Sequence, residues 1–207
     1  MQTTIIDAGV GNLGNLERAL RSLGADTLIT SDPDDIRSGT CLVLPGVGAF
    51  RPPREVLRGE REAALRQALA AGAHLLGVCI GFQLLFASSR EFGTTDGLEL
   101  LGGEVAPLPD TVELPHMGWN RIHDLQPHPL LAGLDDGAYF YFVHSFAPTH
   151  VPEASVLALC THGRAFPAIC ASGRVAGTQF HPEKSGASGL RLLSNFLETC
   201  HGTAAGD

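Results

Sequence analysis

AHLLGVCIGFQLL, residues 73–85, sets a cysteine between two glycines at the end of an apolar run. AHLLGV (73–78) reads as a strand buried on both faces of a sheet, and IGFQLLFASS (80–89) reads as a helix. Cys79 therefore falls on a strand-to-helix bend, and the segments around it decide what sheet that strand belongs to. Upstream, TTIID (3–7), DTLIT (26–30) and CLVLPG (41–46) are strand-like. Residues 11–24 between them are helix-like, with Leu16, Leu20 and Leu23 on one stripe and Gly24 as the stop. A longer helix is expected over 53–72, ending at Gly72. This β-α-β order predicts an α/β fold, a mostly parallel central sheet flanked by helices.

Downstream, the pattern from about 90 to 150 is irregular and rich in Pro and Gly, which predicts hairpins and an additional antiparallel region. Order returns with strand-like SVLALC (155–160), PAIC (167–170) and RVAGTQF (174–180). A closing helix follows over 188–200, with Leu190, Leu193, Phe196 and Leu197 on one face. The expectation is one domain over 1–200 and a flexible tail over 201–207.

The chain has 207 residues and a net charge of −8, without a Lys/Arg cluster, which argues against binding nucleic acid. No window suggests a membrane span or a signal peptide. The five cysteines, odd in number and without a CxxC pair, predict free thiols in a reducing, cytoplasmic setting. His116, His123, His128, His150 and His162 lie in loop-rich stretches and read as surface or packing residues, without metal-ligand spacing. No metal and no cofactor is expected.

Gly77 and Gly81 flank Cys79 as G-x-C-x-G, the spacing of the nucleophile elbow. Such a turn exposes its central side chain at the C-terminal edge of the sheet, where ligands of open α/β folds bind. The helix dipole beneath favours thiolate. A thiol nucleophile needs a base, and GTQFHPEKS (177–185) offers one. Pro182 biases His181 to an extended conformation, and Glu183, two residues on, lies on the same side to orient the ring. Cys79, His181 and Glu183 thus read as nucleophile, general base/acid and orienter. LPGVGAF (44–50) adds a glycine-rich loop after a strand, suited to close approach of main chain to a substrate.

PGVGAF, GVCIGFQLL and GTQFHPEKS, in this order, resemble the class-I (triad) glutamine amidotransferase family over nearly the whole chain. The resemblance implies a flavodoxin-like fold and hydrolysis of L-glutamine through a γ-glutamyl thioester on Cys79. It implies an oxyanion hole from the N–H of Ile80 and one from the loop of Gly46, Val47 and Gly48. It further implies substrate contacts from Gln83 and from the backbone around His144 and Ser145. IIDAGVGNLGNLERAL (5–20), PHMGWN (115–120) and YFVHSF (141–146) resemble those members that donate ammonia to a separate cyclase subunit, a (β/α)8 barrel. An aromatic is expected in that group where Ala8 stands. Asn12, Asn15, Trp119 and Lys184 are then the positions implied to face the cyclase, and the glycine pair of the loop would permit a partner-dependent peptide flip. Two other readings remain open at this level: a stand-alone Cys-His hydrolase, and a binding subunit that would lack a triad member.

Overall fold

The computed structural model describes residues 2–202. Strands and helices alternate through β1 (Gln2–Ile6), α1 (Leu13–Ser22), β2 (Asp26–Thr30), α2 (Pro33–Ser38), β3 (Cys41–Gly46), α3 (Arg51–Leu57), α4 (Glu60–Ala70), β4 (His74–Cys79) and α5 (Ile80–Gln83). Short strands then dominate: β5 (Ser88–Ser89), β6 (Thr95–Asp96), β7 (Glu104–Pro107), β8 (His116–His123), β9 (Tyr139–His144) and β10 (Phe146–Thr149). The chain closes with β11 (Val156–His162), β12 (Arg164–Ser172), β13 (Val175–Thr178) and α6 (Gly186–Gly202). The tail expected over 201–207 lies, from residue 203 onward, outside the described residues, and His201 and Gly202 end α6.

Nine strands form the central sheet in the order β2-β1-β3-β4-β13-β12-β11-β8-β9. The five from β2 to β13 run parallel, and from β13 to β9 each neighbour is antiparallel. The antiparallel region of the sequence thus continues the parallel sheet, and the remaining short strands make a second, mixed sheet, β10-β7-β5-β6, in which β5 and β7 are parallel. The apolar runs do what two-sided burial requires: Leu42, Val43, Leu44, Leu75 and Leu76 are wholly buried between the helical layers. Leu16 and Leu20 of α1 and Leu193 and Phe196 of α6 are buried against the sheet, while Leu190 is only half-covered.

Two expected helices are shorter than the apolar pattern suggests. The helix expected over 53–72 is two, α3 and α4, parted at Arg58–Gly59, because Gly59 adopts φ +76° and ends the helical path. The helix expected over 80–89 is the single turn α5. The carbonyls of Leu84, Leu85 and Phe86 accept from the N–H groups of residues 98–101. Those bonds replace the ones a longer helix would need. α2 passes unmarked by hydrophobic periodicity but carries a start signal: the Asp32 side chain accepts from the Asp34 N–H, with Pro33 at the first helical position.

The cysteines also correct an expectation. Cys79, Cys160 and Cys170 are free, but Cys41 and Cys200 form a disulfide with their Cα atoms 5.6 Å apart. α6 runs back across the sheet so that its last turn meets the start of β3, a neighbourhood that a separation of 159 residues conceals. Burial pushes the Cys160 thiol up to about 12 and raises Cys170 as well, so both are inert core residues. The denatured, unreduced protein should titrate three thiols, and five after reduction. Reduction should lower the melting temperature by on the order of 10 °C, as expected for opening a long loop. Five reactive thiols before reduction would refute the bridge.

Candidate active site

Close main-chain packing builds the elbow. Cys79 sits at φ +56° and ψ −110°, a conformation strained for any residue with a side chain. A Cβ on Gly81 would lie 1.7 Å from the Leu44 carbonyl oxygen, and one on Gly77 would lie 2.8 Å from the Gly81 oxygen. A Cβ on Gly46 would meet Ile80 Cβ at 2.9 Å, and one on Gly177 would meet the Phe82 ring at 2.3 Å. Glycines from β3, β4, α5 and β13 therefore let three strands and the elbow turn meet at one point. The register Gly46↔Cys79 and Val78↔Thr178 brings the ends of β3, β4 and β13 to the same edge.

His181 follows β13 and is extended, at φ −96° and ψ 97°. Its Nδ1–H donates to Glu183 Oε1 at 2.8 Å, and both side chains are almost fully buried. The carboxylate can only accept, so the proton is on Nδ1 and Nε2 is left for Cys79. Among the described residues Nε2 makes no formed hydrogen bond, yet Cys79 is near enough to act on its charge. Burial opposes the imidazolium, but Cys79 and Glu183 together outweigh it and raise the His181 pKa to about 9. Glu183 belongs to a 3₁₀ turn, Pro182–Lys184, rather than to continued strand. Ser185 pins that turn: its hydroxyl donates to the His181 carbonyl at 2.6 Å and accepts from the Tyr141 N–H at 3.0 Å. Ser185 closes the GTQFHPEKS segment, but nothing in that spacing marks this pinning role.

Cys79 and His181 open onto a pocket of about 470 Å³. Val47, Gly48, Ile80, Gln83, His144, Ser145 and Lys184 line it, so most of the expected site residues share one cavity. Gly46 does not line it, and serves instead to admit Ile80. Gly48 has φ +84° and open space where its Cβ would be, so its glycine answers a conformational need only. With only one turn, α5 offers N–H groups beside Cys79 but little of the macrodipole expected from a longer helix.

Gln83 is buried and oriented. Its Nε2 donates to the Phe146 carbonyl at 2.9 Å and to Gln179 Oε1 at 3.1 Å, leaving Oε1 without a protein donor among the described residues. Glu91, Phe92, Pro115, Val143 and Phe146 complete the wall; the last three fall in the PHMGWN and YFVHSF segments, whereas no motif singled out Glu91 or Phe92. Glu91 Oε2 accepts the Phe50 N–H at 2.7 Å, tying the β5–β6 loop to the end of the glycine loop. A carboxylate and an unpaired amide oxygen in one wall suit an ammonium group.

Of the positions implied to face a partner, Trp119 is 56% exposed, with its ring 6.2 Å from that of Tyr141. Lys184 Nζ stands 5.8 Å from the Tyr141 ring. Asn12 caps α1 by accepting the Asn15 N–H, and the Asn15 side chain accepts from Arg18. α1 packs beside the Pro182–Lys184 turn. Among the described residues there is no cluster of three metal-ligating side chains and no helix long and apolar enough to cross a membrane.

Comparison with known proteins agrees with this architecture. A family model described as glutamine amidotransferase class-I matches residues 4–200. The imidazole glycerol phosphate synthase subunit HisH of Caulobacter vibrioides is 47% identical over 212 residues, covering 96% of this chain and 99% of that one. The protein of the same name from Symbiobacterium thermophilum is 45% identical over 193 residues, covering 93% and 91%. Among solved structures, a glutamine amidotransferase superposes with a TM-score of 0.76 at 20% identity, covering 96% of this chain and 98% of that one. A chain of PurLQS from Thermotoga maritima gives 0.73 at 16% identity, covering 96% and 98%.

The His181 shift has a thermodynamic consequence. Its folded value lies above the ordinary 6.5, so its protonation stabilises the fold below about pH 6.5, and that contribution is lost as pH rises through about 9. By NMR, His181 should titrate near 9 in the wild type and lower in Cys79→Ala and in Glu183→Gln. An unchanged midpoint in both variants would refute the stated cause.

Proposed function

The chain belongs to the class-I glutamine amidotransferase family, and on that premise we propose that it is the glutaminase subunit of imidazole glycerol phosphate synthase. It would hydrolyse L-glutamine to L-glutamate and ammonia and pass the ammonia to a cyclase subunit. The cyclase would form imidazole glycerol phosphate and AICAR in histidine biosynthesis. The observation that carries the reading is the strained Cys79 elbow facing the buried His181–Glu183 pair across a pocket closed by a glycine loop. The relatives that share 45–47% identity over nearly the whole chain carry the name of this member of the family, which supports the reading.

The chemistry follows from the groups in place. Cys79, its proton held by His181, attacks the side-chain amide carbon of glutamine. The N–H of Ile80 and one from the Gly46–Gly48 loop hold the tetrahedral oxyanion. The His181 imidazolium protonates the leaving nitrogen, ammonia departs, and a γ-glutamyl thioester remains. The neutral imidazole then takes a proton from water, which attacks the thioester and releases glutamate and the thiol. Glu183 holds the ring in the required tautomer throughout. Gln83 Oε1 and Glu91 would receive the substrate's ammonium group, and the backbone at His144 and Ser145 would hold its carboxylate end.

Free ammonia is protonated and lost in water, so the site calls for a protein partner at its mouth. Met117, Trp119 and Tyr139 are more than half exposed, on the strand pair that bounds the pocket. Exposed apolar and aromatic residues of this kind mark an interface, here with the cyclase in a cytoplasmic heterodimer. A peptide flip at the glycine loop would complete the oxyanion hole only on docking.

The purified chain should release glutamate slowly alone and much faster with a cyclase subunit and its nucleotide ligand. Cys79→Ala should lose glutaminase activity by roughly 10⁴-fold or more, while ammonium salts still support cyclisation by the assembled pair. Equal activity with and without the cyclase would favour a stand-alone hydrolase. Retained hydrolysis in Cys79→Ala would remove the nucleophile assignment.

A further inference from the structure

A partly buried polar chain that the reaction itself does not use ends at His144 in the pocket wall. Asn120 Nδ2 lies 3.0 Å from the Thr161 carbonyl oxygen and 3.0 Å from His116 Nε2. His116 Nδ1 lies 3.0 Å from His144 Nε2, and His144 Nδ1 lies 2.8 Å from the Phe146 carbonyl oxygen. We infer that His116 and His144, with Asn120, form a proton-ordered strut that positions the His144–Phe146 segment of the pocket wall and ties it to β8. His116 is a positioning residue in this scheme, acting through His144. The inference rests on the proposed glutamine site, because that segment is where the substrate's amino-acid end would lie.

Proton counting leaves one arrangement. The Thr161 carbonyl only accepts and the Arg121 N–H, 2.8 Å from Asn120 Oδ1, only donates, so the Asn120 amide orientation is fixed. Its nitrogen therefore donates to His116 Nε2. His116 carries its own proton on Nδ1 and donates it to His144 Nε2. His144 carries its proton on Nδ1 and donates it to Phe146. Read from the Phe146 end, the assignment is the same. An added proton on either ring would set two N–H groups head to head. Both rings are accordingly held neutral, His116 near 4 and His144 near 3, chiefly by burial.

The strut reaches the substrate wall at a decisive atom. The Phe146 carbonyl that receives the His144 proton also orients Gln83. At its other end the strut belongs to β8, where His116 is buried while Met117 and Trp119 on the opposite face are exposed. Stacking fixes the rings laterally, with His116 4.2 Å from His162 and 4.9 Å from Phe142, centre to centre. A shift of β8 thus meets the pocket wall through directional bonds as well as packing.

Two measurements test this. Nitrogen-15 histidine NMR on the wild-type chain at pH 7 should show His116 and His144 as neutral Nδ1–H tautomers; a proton on Nε2 of either would overturn the strut. In the assembled pair with the cyclase subunit, His116→Asn can place an amide N–H where Nδ1 was, whereas His116→Gln reaches only the Nε2 position. The Gln variant should raise the glutamine KM by about three- to tenfold, the loss of one buried hydrogen bond, with kcat changing less and Asn restoring KM. Equal KM in the two variants, or a loss confined to kcat, would overturn the positioning role. Absence of glutaminase activity in the wild type would fall on the proposed function instead, and the tautomers would still decide the strut.

Discussion

Everything at the active edge depends on how closely the elbow turn lies against β3. The Leu44 carbonyl occupies the space that any side chain at position 81 would need, and Ile80 fills the space beside Gly46. Such an approach has no tolerance for a Cβ, so four glycines on separate elements are required together. Because the turn is pressed so tightly, it holds Cys79 at φ +56° against its local preference. The same closeness puts the N–H groups after Cys79 beside Gly46, at the start of the glycine loop. The strain at Cys79 and the position of those N–H groups thus share one steric cause.

Around this rigid point the polar groups are graded by burial. Glu183, His181 and Gln83 are all but inaccessible, and each has one polar atom without a protein partner among the described residues: Glu183 Oε2, His181 Nε2 and Gln83 Oε1. Gln179 Nε2, beside Gln83, is a fourth such atom. A buried orphan polar atom costs roughly 1–3 kcal/mol, so four in one cluster is a cost the fold does not need for its own stability. Two of them, His181 Nε2 and Gln83 Oε1, are atoms that the proposed chemistry would occupy with thiol and substrate.

Legibility in the sequence followed the physical origin of each feature. The parallel strands were readable because two-sided burial demands continuous apolar runs, as in residues 41–44 and 75–78. The elbow and the His-Pro-Glu segment were readable because local backbone demands specific residues at fixed spacing. Helix lengths misled where tertiary bonds took over, as when residues 98–101 claim the carbonyls after α5. Glu91, Ser185 and the Cys41–Cys200 bridge were not legible because each joins segments far apart in the chain and no local spacing records the contact. His116 could be assigned to a loop-rich stretch but not to the interior, since the pleat of β8 that turns it inward is set by pairing with β9.

The pocket also holds histidines in opposite charge states within one fold, and the partners explain why. His181 faces a carboxylate and a thiol, both of which favour the imidazolium, and its pKa rises to about 9 despite burial. His144 faces a main-chain carbonyl, which rewards an N–H without adding negative charge, and a second imidazole already committed as donor. Burial then prevails, and its pKa falls to about 3. The distinction matters because His181 itself lowers the tendency of His144 to charge. Two cations in one small cavity would repel each other and any ammonium group brought in by substrate. Keeping His144 neutral, chiefly by burial, leaves His181 as the protonated imidazole of the site, beside the atoms where the proposed reaction would need a proton.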